Sequence, residues 1–156
     1  MIRAVLLDAM GTLLELEQPA PLLVGELARR GVAISAGEAR AAIVAEIAYY
    51  REHHDEASTL DLLDDLRARC TAVLREALPP HARELPGDEL GAALLAALRF
   101  RPYPDVPDTL RALRSEGVRL VVVSNWDVSL HEQLATTGIA PLVDAAVSSA
   151  EVGASK

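Results

Sequence analysis

Cysteine is all but absent: Cys70 is the only one in 156 residues. No internal disulfide can form, and because Cys70 falls in a helical pattern a buried thiol is expected, in keeping with a reducing, intracellular setting. Long apolar runs are missing as well. Ala4 to Leu7 is too brief for the core of a signal peptide, and the longest run, Leu90 to Leu98, falls far short of a membrane span. No cluster of Lys and Arg is long enough to follow a phosphate backbone, and the formal charge is −8, which argues against nucleic acid as a partner. Neither G-x-G-x-x-G nor G-x-x-x-x-G-K-[ST] occurs, so dinucleotide and P-loop readings have no support. These absences predict a soluble, cytoplasmic chain with neither a nucleic acid nor a membrane partner.

What is present is apolar: 51% of the residues are hydrophobic, enough to bury one substantial core, or one core and a small helical satellite. Ile2 to Leu7 (IRAVLL) reads as a strand buried in a parallel sheet. Helices then follow one another. The first starts near Pro19, carries Leu22, Leu23 and Leu27, and stops at Arg29, Arg30 and Gly31. Ser35 and Glu38 form a capping box ahead of Ala39, Ile43, Ile47 and Tyr50 on one face. Leu62, Leu66, Cys70, Val73 and Ala77 repeat the pattern until Pro79 and Pro80, and Leu90, Leu94 and Leu98 mark a shorter helix.

The pattern breaks at RPYPDVPD, Arg101 to Asp108. Beyond it come a helix through Leu110 and Leu113, a strand Val118 to Val123, a helix through Leu130 and Leu134, and a strand Ala145 to Ser148. That alternation predicts an α/β fold with a parallel sheet. The core is expected from residues 1–14 and 101–156, with 15–100 as a helical insertion over the carboxyl ends of the strands, where open sheets bind ligands.

Asp8, the pair Ser124–Asn125 and Lys156 all fall at or just past strand ends, which converge on one rim of a parallel sheet. Each alone is ordinary turn or terminal chemistry. Together they make a site for a phosphate or another anion, with Asp8 as nucleophile, Ser124 as donor and Lys156 as countercharge. Gly11 lets the backbone turn tightly, so that amides between Ala9 and Thr12 are expected to face the ligand. Glu52 to Glu56, with His53 and His54, looks like a metal cluster but reads better as a solvated helix end. Trp126 has two readings, lining the mouth of the site or anchoring the packing.

LLDAMGTLL (Leu6 to Leu14) resembles the first motif of the haloacid dehalogenase (HAD) superfamily, RLVVVSNWD (Arg119 to Asp127) the second, and SSAEVGASK (Ser148 to Lys156) the approach to its lysine. The resemblance implies a Rossmann-like core, a helical cap after the first motif, and hydrolysis through an aspartyl ester intermediate. By position it makes Asp8 the nucleophile, Ser124 the phosphoryl-binding hydroxyl and Lys156 the lysine that steadies both; Gly11 and Thr12 in the loop and Asn125 at the strand end are expected against the substrate from their own positions. It further implies Mg²⁺, held by the Asp8 carboxylate, the main-chain carbonyl of Met10 and an acidic motif further on. Hydrolysis of a small phosphate ester is the expected activity.

Met10 stands where the superfamily's phosphatases carry the Asp that protonates the leaving group, and a thioether cannot do so. Dehalogenases lack that acid too, since a halide needs no proton and no metal, so 2-haloacid dehalogenation is the alternative. Those enzymes hold the halide with an arginine early in the cap; Ile43 aligns near that position, with Arg40 and Arg51 close by. The resemblance also implies further C-terminal strands and an acidic motif beyond Lys156. The expectation is therefore a fragment of a longer product, its core incomplete and its activity impaired. A first strand left as an apolar edge would favour self-association, which motivates a third reading, a non-catalytic binding or assembly module.

Overall fold

The computed structural model describes residues 2–156. In chain order its elements are β1 (Ala4–Leu7), β2 (Leu14–Leu16), α1 (Pro19–Arg29), α2 (Ala36–His53), α3 (Leu60–Ala77), α4 (Gly87–Ala97), β3 (Phe100–Pro102), α5 (Val106–Ser115), β4 (Arg119–Ser124), α6 (Leu130–Thr136), β5 (Ala145–Ser148) and α7 (Ser149–Val152). Short 3-10 turns intervene, one of them at His54–Glu56. Two compact units result. A sheet unit comprises the chain up to Leu16, His54–Leu63 and Phe100–Lys156; a helical unit comprises Glu17–His53 and Asp64–Arg99.

In the sheet unit β1, β4 and β5 form a parallel sheet in the order β1-β4-β5, the α/β arrangement predicted from the alternation of elements. Leu7 pairs with Val122 and Ser124 with Ser148, so the strands finish on a common rim. Leu120, Val122, Leu110, Leu130, Leu134, Ile139 and Trp126 make up most of one apolar core. Trp126 is 5% exposed and its ring lies 5.1 Å from that of Phe100, which decides for the packing anchor. Among the described residues β1 lies at the edge of this sheet, with Ile2 and Leu6 exposed.

Two features differ from the expected boundaries. The stretch read as loop on either side of the insertion forms a two-stranded antiparallel ribbon, β2 with β3, registered Glu15 to Arg101 and closed by their ion pair at 2.9 Å. Three-residue strands carry too little alternation to be seen in a sequence. The other feature is the segment His54–Leu63, which interrupts the expected 15–100 insertion and belongs to the sheet unit. A backbone bond from Val128 N to Ala57 O, 3.0 Å, stitches it there.

In the helical unit α1 packs against α2 and α4. Pro19 opens α1, where a missing N–H costs nothing. The capping box ahead of α2 is formed in both directions: Glu38 N donates to Ser35 Oγ at 3.2 Å, and Ser35 N to Glu38 Oε2 at 2.7 Å. The deepest face of α2 is Ala39, Ala42, Ile43 and Glu46, one position round from the apolar stripe read in the sequence. α3 shifts likewise. Leu66, Cys70 and Leu74 are buried and Leu62 is 45% exposed. Cys70 is the buried thiol that was expected, and it hydrogen-bonds to the Glu46 carboxyl.

Candidate active site

Asp8 follows β1 directly, and Ser124 is the last residue of β4. Parallel pairing of these strands brings together two side chains that are 116 residues apart, with Ser124 Oγ donating to Asp8 Oδ1 at 3.0 Å. The same oxygen accepts from Ala9 N at 2.9 Å and from Lys156 Nζ at 2.8 Å. All three donors fall on Oδ1; Oδ2 receives none among the described residues. The carboxylate is thus anchored by one oxygen and presents the other.

Lys156 reaches this point because β5 runs into the short helix α7, and the chain then turns back. Ser148 caps α7 in a second capping box, accepting from Glu151 N at 3.3 Å, and Gly153 reverses the chain. Lys156 Nζ donates at 2.6 Å to Val123 O as well as to Asp8. Ser124 is 2% exposed, whereas the side chains of Asp8 and Lys156 are close to half exposed. Burial alone would raise the Asp8 carboxyl. The bonds from Lys156 and Ser124, the lysine's charge and the Ala9 amide outweigh it and hold Asp8 below the usual carboxylate range.

The three surrounding residues expected against the substrate are hydrogen-bonded within the protein. The exposed Asn125 side chain is tied to the lysine: its Oδ1 accepts from Lys156 N at 3.0 Å and its Nδ2 donates to Lys156 O at 3.4 Å, so it fixes the lysine's main chain. Gly11 and Thr12 do not aim their amides at a ligand. Gly11 N donates to Leu14 O and Thr12 N to Ala9 O, because the loop curls round the Ala9 carbonyl. Of the amides between Ala9 and Thr12, that of Met10 has no partner among the described residues; its carbonyl has none either, and the residue is 40% exposed.

Gly11 retains a conformational role, with φ of +78° and no atom within 4 Å of where a Cβ would sit. Gly11→Ala is therefore expected to cost about 1–2 kcal/mol through the backbone alone. Urea unfolding measures it; an unchanged midpoint would count against this account.

The haloacid dehalogenase-like hydrolase profile matches residues 2–156, the whole of the site and both units. The chain belongs to the HAD-like hydrolases. Similar solved structures include the L-2-haloacid dehalogenase of Xanthobacter autotrophicus with chloropropionic acid covalently bound, at 22% identity and a TM-score of 0.60, covering all of this chain and 60% of that one. A defluorinating L-2-haloacid dehalogenase is 25% identical at a TM-score of 0.65, with 95% and 60% covered. A HAD phosphatase from Thermococcus onnurineus is 25% identical at 0.54, with 99% and 66% covered. The chain thus spans about two thirds of the length of these structures or less. No curated protein matches it.

For a HAD-like hydrolase the donor set at Asp8 bears on the implied Mg²⁺. The Asp8 carboxylate and the unpartnered Met10 carbonyl are hard oxygens, the kind this ion takes when waters and a substrate phosphate complete its shell. No group of three or more His, Cys, Asp or Glu side chains fit to hold a metal occurs among the described residues, and the Glu52–Glu56 stretch is no exception. Within that stretch Asp55, its side chain 40% exposed, is also tied into the sheet unit. Its carboxylate accepts from the hydroxyls of Ser149 and Ser155, 94 and 100 residues away, a separation at which spacing carries no signal.

Proposed function

We propose that the chain carries the nucleophilic centre of a HAD-like hydrolase that turns over small substrates whose leaving group departs without a proton, in the first place an activated phosphate ester. The observation that supports it is the asymmetric anchoring of Asp8: among the described residues Oδ1 takes three donors and Oδ2 takes none. Oδ2 attacks phosphorus, an O–P bond forms, and the P–O bond to the leaving group breaks with its electron pair on that group. Water then attacks phosphorus and releases phosphate, regenerating the carboxylate. Lys156 and Ser124 stabilise the charge that gathers on the transferred group and keep Asp8 ionised. Mg²⁺, held by Asp8 and the Met10 carbonyl, would neutralise phosphoryl charge when bound. The helical unit is the substrate-selecting cap in this reading.

Met10 favours a second reading, since a halide also leaves without a proton. Oδ2 then attacks the carbon that bears the halogen, the halide leaves with the bonding pair, and water hydrolyses the ester to a 2-hydroxy acid.

One set of assays separates the two. With Mg²⁺, an aryl phosphate with an acidic phenol is expected to be cleaved faster than an alkyl phosphate, by more than the ~10² to 10⁴ that general acid catalysis supplies. Met10→Asp should narrow that gap. Halide release from 2-chloropropionate without added metal would instead support dehalogenation. Activity on neither class would leave the binding or assembly module.

A further inference from the structure

The site residues described above come from the two ends of the chain, yet a third segment is fastened to them. After α2 ends at His53, the single turn His54–Glu56 presents Asp55 to the sheet unit. One carboxylate oxygen accepts from Ser149 Oγ and the other from Ser155 Oγ. Ser149 is buried, and its hydroxyl also accepts from Trp126 N at 3.1 Å, two residues past Ser124. Ser155 is the residue before Lys156. A single carboxylate therefore ties the loop after β4 to the stretch that delivers the lysine.

We propose that Asp55 is a positioning residue for Lys156, holding the chain on both sides of the ammonium so that Nζ meets Asp8 Oδ1 and Val123 O. The proposal rests on the reading of Asp8 and Lys156 as the reacting centre. The physical need is clear from the stretch itself. Residues 151–156 are all exposed, and the bonds that hold the last four in place run to Ser149 O, Asn125, Val123 O, Asp8 and Asp55. Of these, Asp55 makes the one bond to the side chain of Ser155, and an ionised acceptor makes it stronger than a neutral pair. An ammonium displaced by an ångström loses much of its effect on a transition state.

Lys156 is the only lysine in the sequence, so its accessibility can be read without turnover. Native protein is treated with an amine-acetylating reagent, and acetylation of the C-terminal peptide is followed by mass spectrometry. Asp55→Ala and Ser155→Ala are expected to raise the rate by about threefold or more, the equivalent of part of one charge-assisted hydrogen bond. Asp55→Asn, which keeps an oxygen acceptor, should recover part of the protection. In hydrolysis kcat should fall with KM nearly constant. Wild-type acetylation rates in both alanine variants would overturn the proposal, and Ser155→Ala decides alone should Asp55→Ala fail to fold. Faster acetylation in a protein that hydrolyses nothing would uphold the positioning role while sinking the hydrolase reading.

Discussion

Asp8→Asn is expected to lower turnover by about 10⁴-fold or more, the scale on which loss of a covalent nucleophile shows itself. The substitution conserves shape, and an amide oxygen can still accept from Ala9 N and Ser124 Oγ in the positions seen at 2.9 and 3.0 Å. What is lost is the anion. Neither amide atom attacks phosphorus or carbon at a useful rate, and Lys156 loses its counter-ion. Because both partners of that ion pair are close to half exposed, stability should change little. Circular dichroism and thermal unfolding check this, so an inactive variant cannot be put down to misfolding. Retained activity in Asp8→Asn would remove the aspartyl ester from the mechanism. The pH profile adds a second check. Asp8 is held below the usual carboxylate range, so its ionised form persists as the pH falls through that range, and the acid limb it sets lies below that of an ordinary aspartate. The stability it contributes is present above its unfolded value and is lost as the pH falls through the folded one.

A comparable effect, this time on stability, is expected at Glu46. This side chain is 3% exposed, and burial pushes its carboxyl from the ordinary 4.5 up to about 7, opposed only by the Cys70 thiol. Between those values the folded state keeps a proton that the unfolded state has released. Stability therefore falls as the pH rises from 4.5 to about 7 and is level above that. A difference of this size amounts to roughly 3 kcal/mol. Glu46→Met fills similar space without an ionisable group. The variant should be the more stable protein at pH 8 by up to about that amount, and close to the wild type at pH 4. Urea unfolding across this range measures it, and parallel pH profiles for the two proteins would refute the assignment.

Glu46 also illustrates which parts of the structure could be read in advance. The helix carrying it was legible from its capping box and apolar spacing. Its innermost face was not, because a glutamate at the fourth point of Ala39, Ala42, Ile43 and Glu46 looks like a surface residue in any polarity pattern. Asp8, Ser124 and Lys156 were legible because strand ends in a parallel sheet must share a rim, which makes long-range proximity a local property of each segment. Asn125 is expected against the substrate on the same logic, and its bonds to the lysine's backbone were not legible, since a strand end fixes where a residue sits and not which neighbour its amide finds. Asp55 had no such rule to place it. Its bonds depend on how a mid-chain turn meets the C-terminal stretch, a tertiary fact with no counterpart in periodicity or motif.

The strand order has a consequence for how the protein is made. Among the described residues β1 pairs with β4 alone, and β4 is synthesised only after the whole helical unit. Closing so long a loop is entropically costly and makes the pairing late, so β1 must wait as an unpaired apolar segment while the helices, whose contacts are local, condense between. During that interval Ile2 and Leu6 are open to a neighbouring nascent chain, and synthesis rate and chaperone supply become determinants of yield.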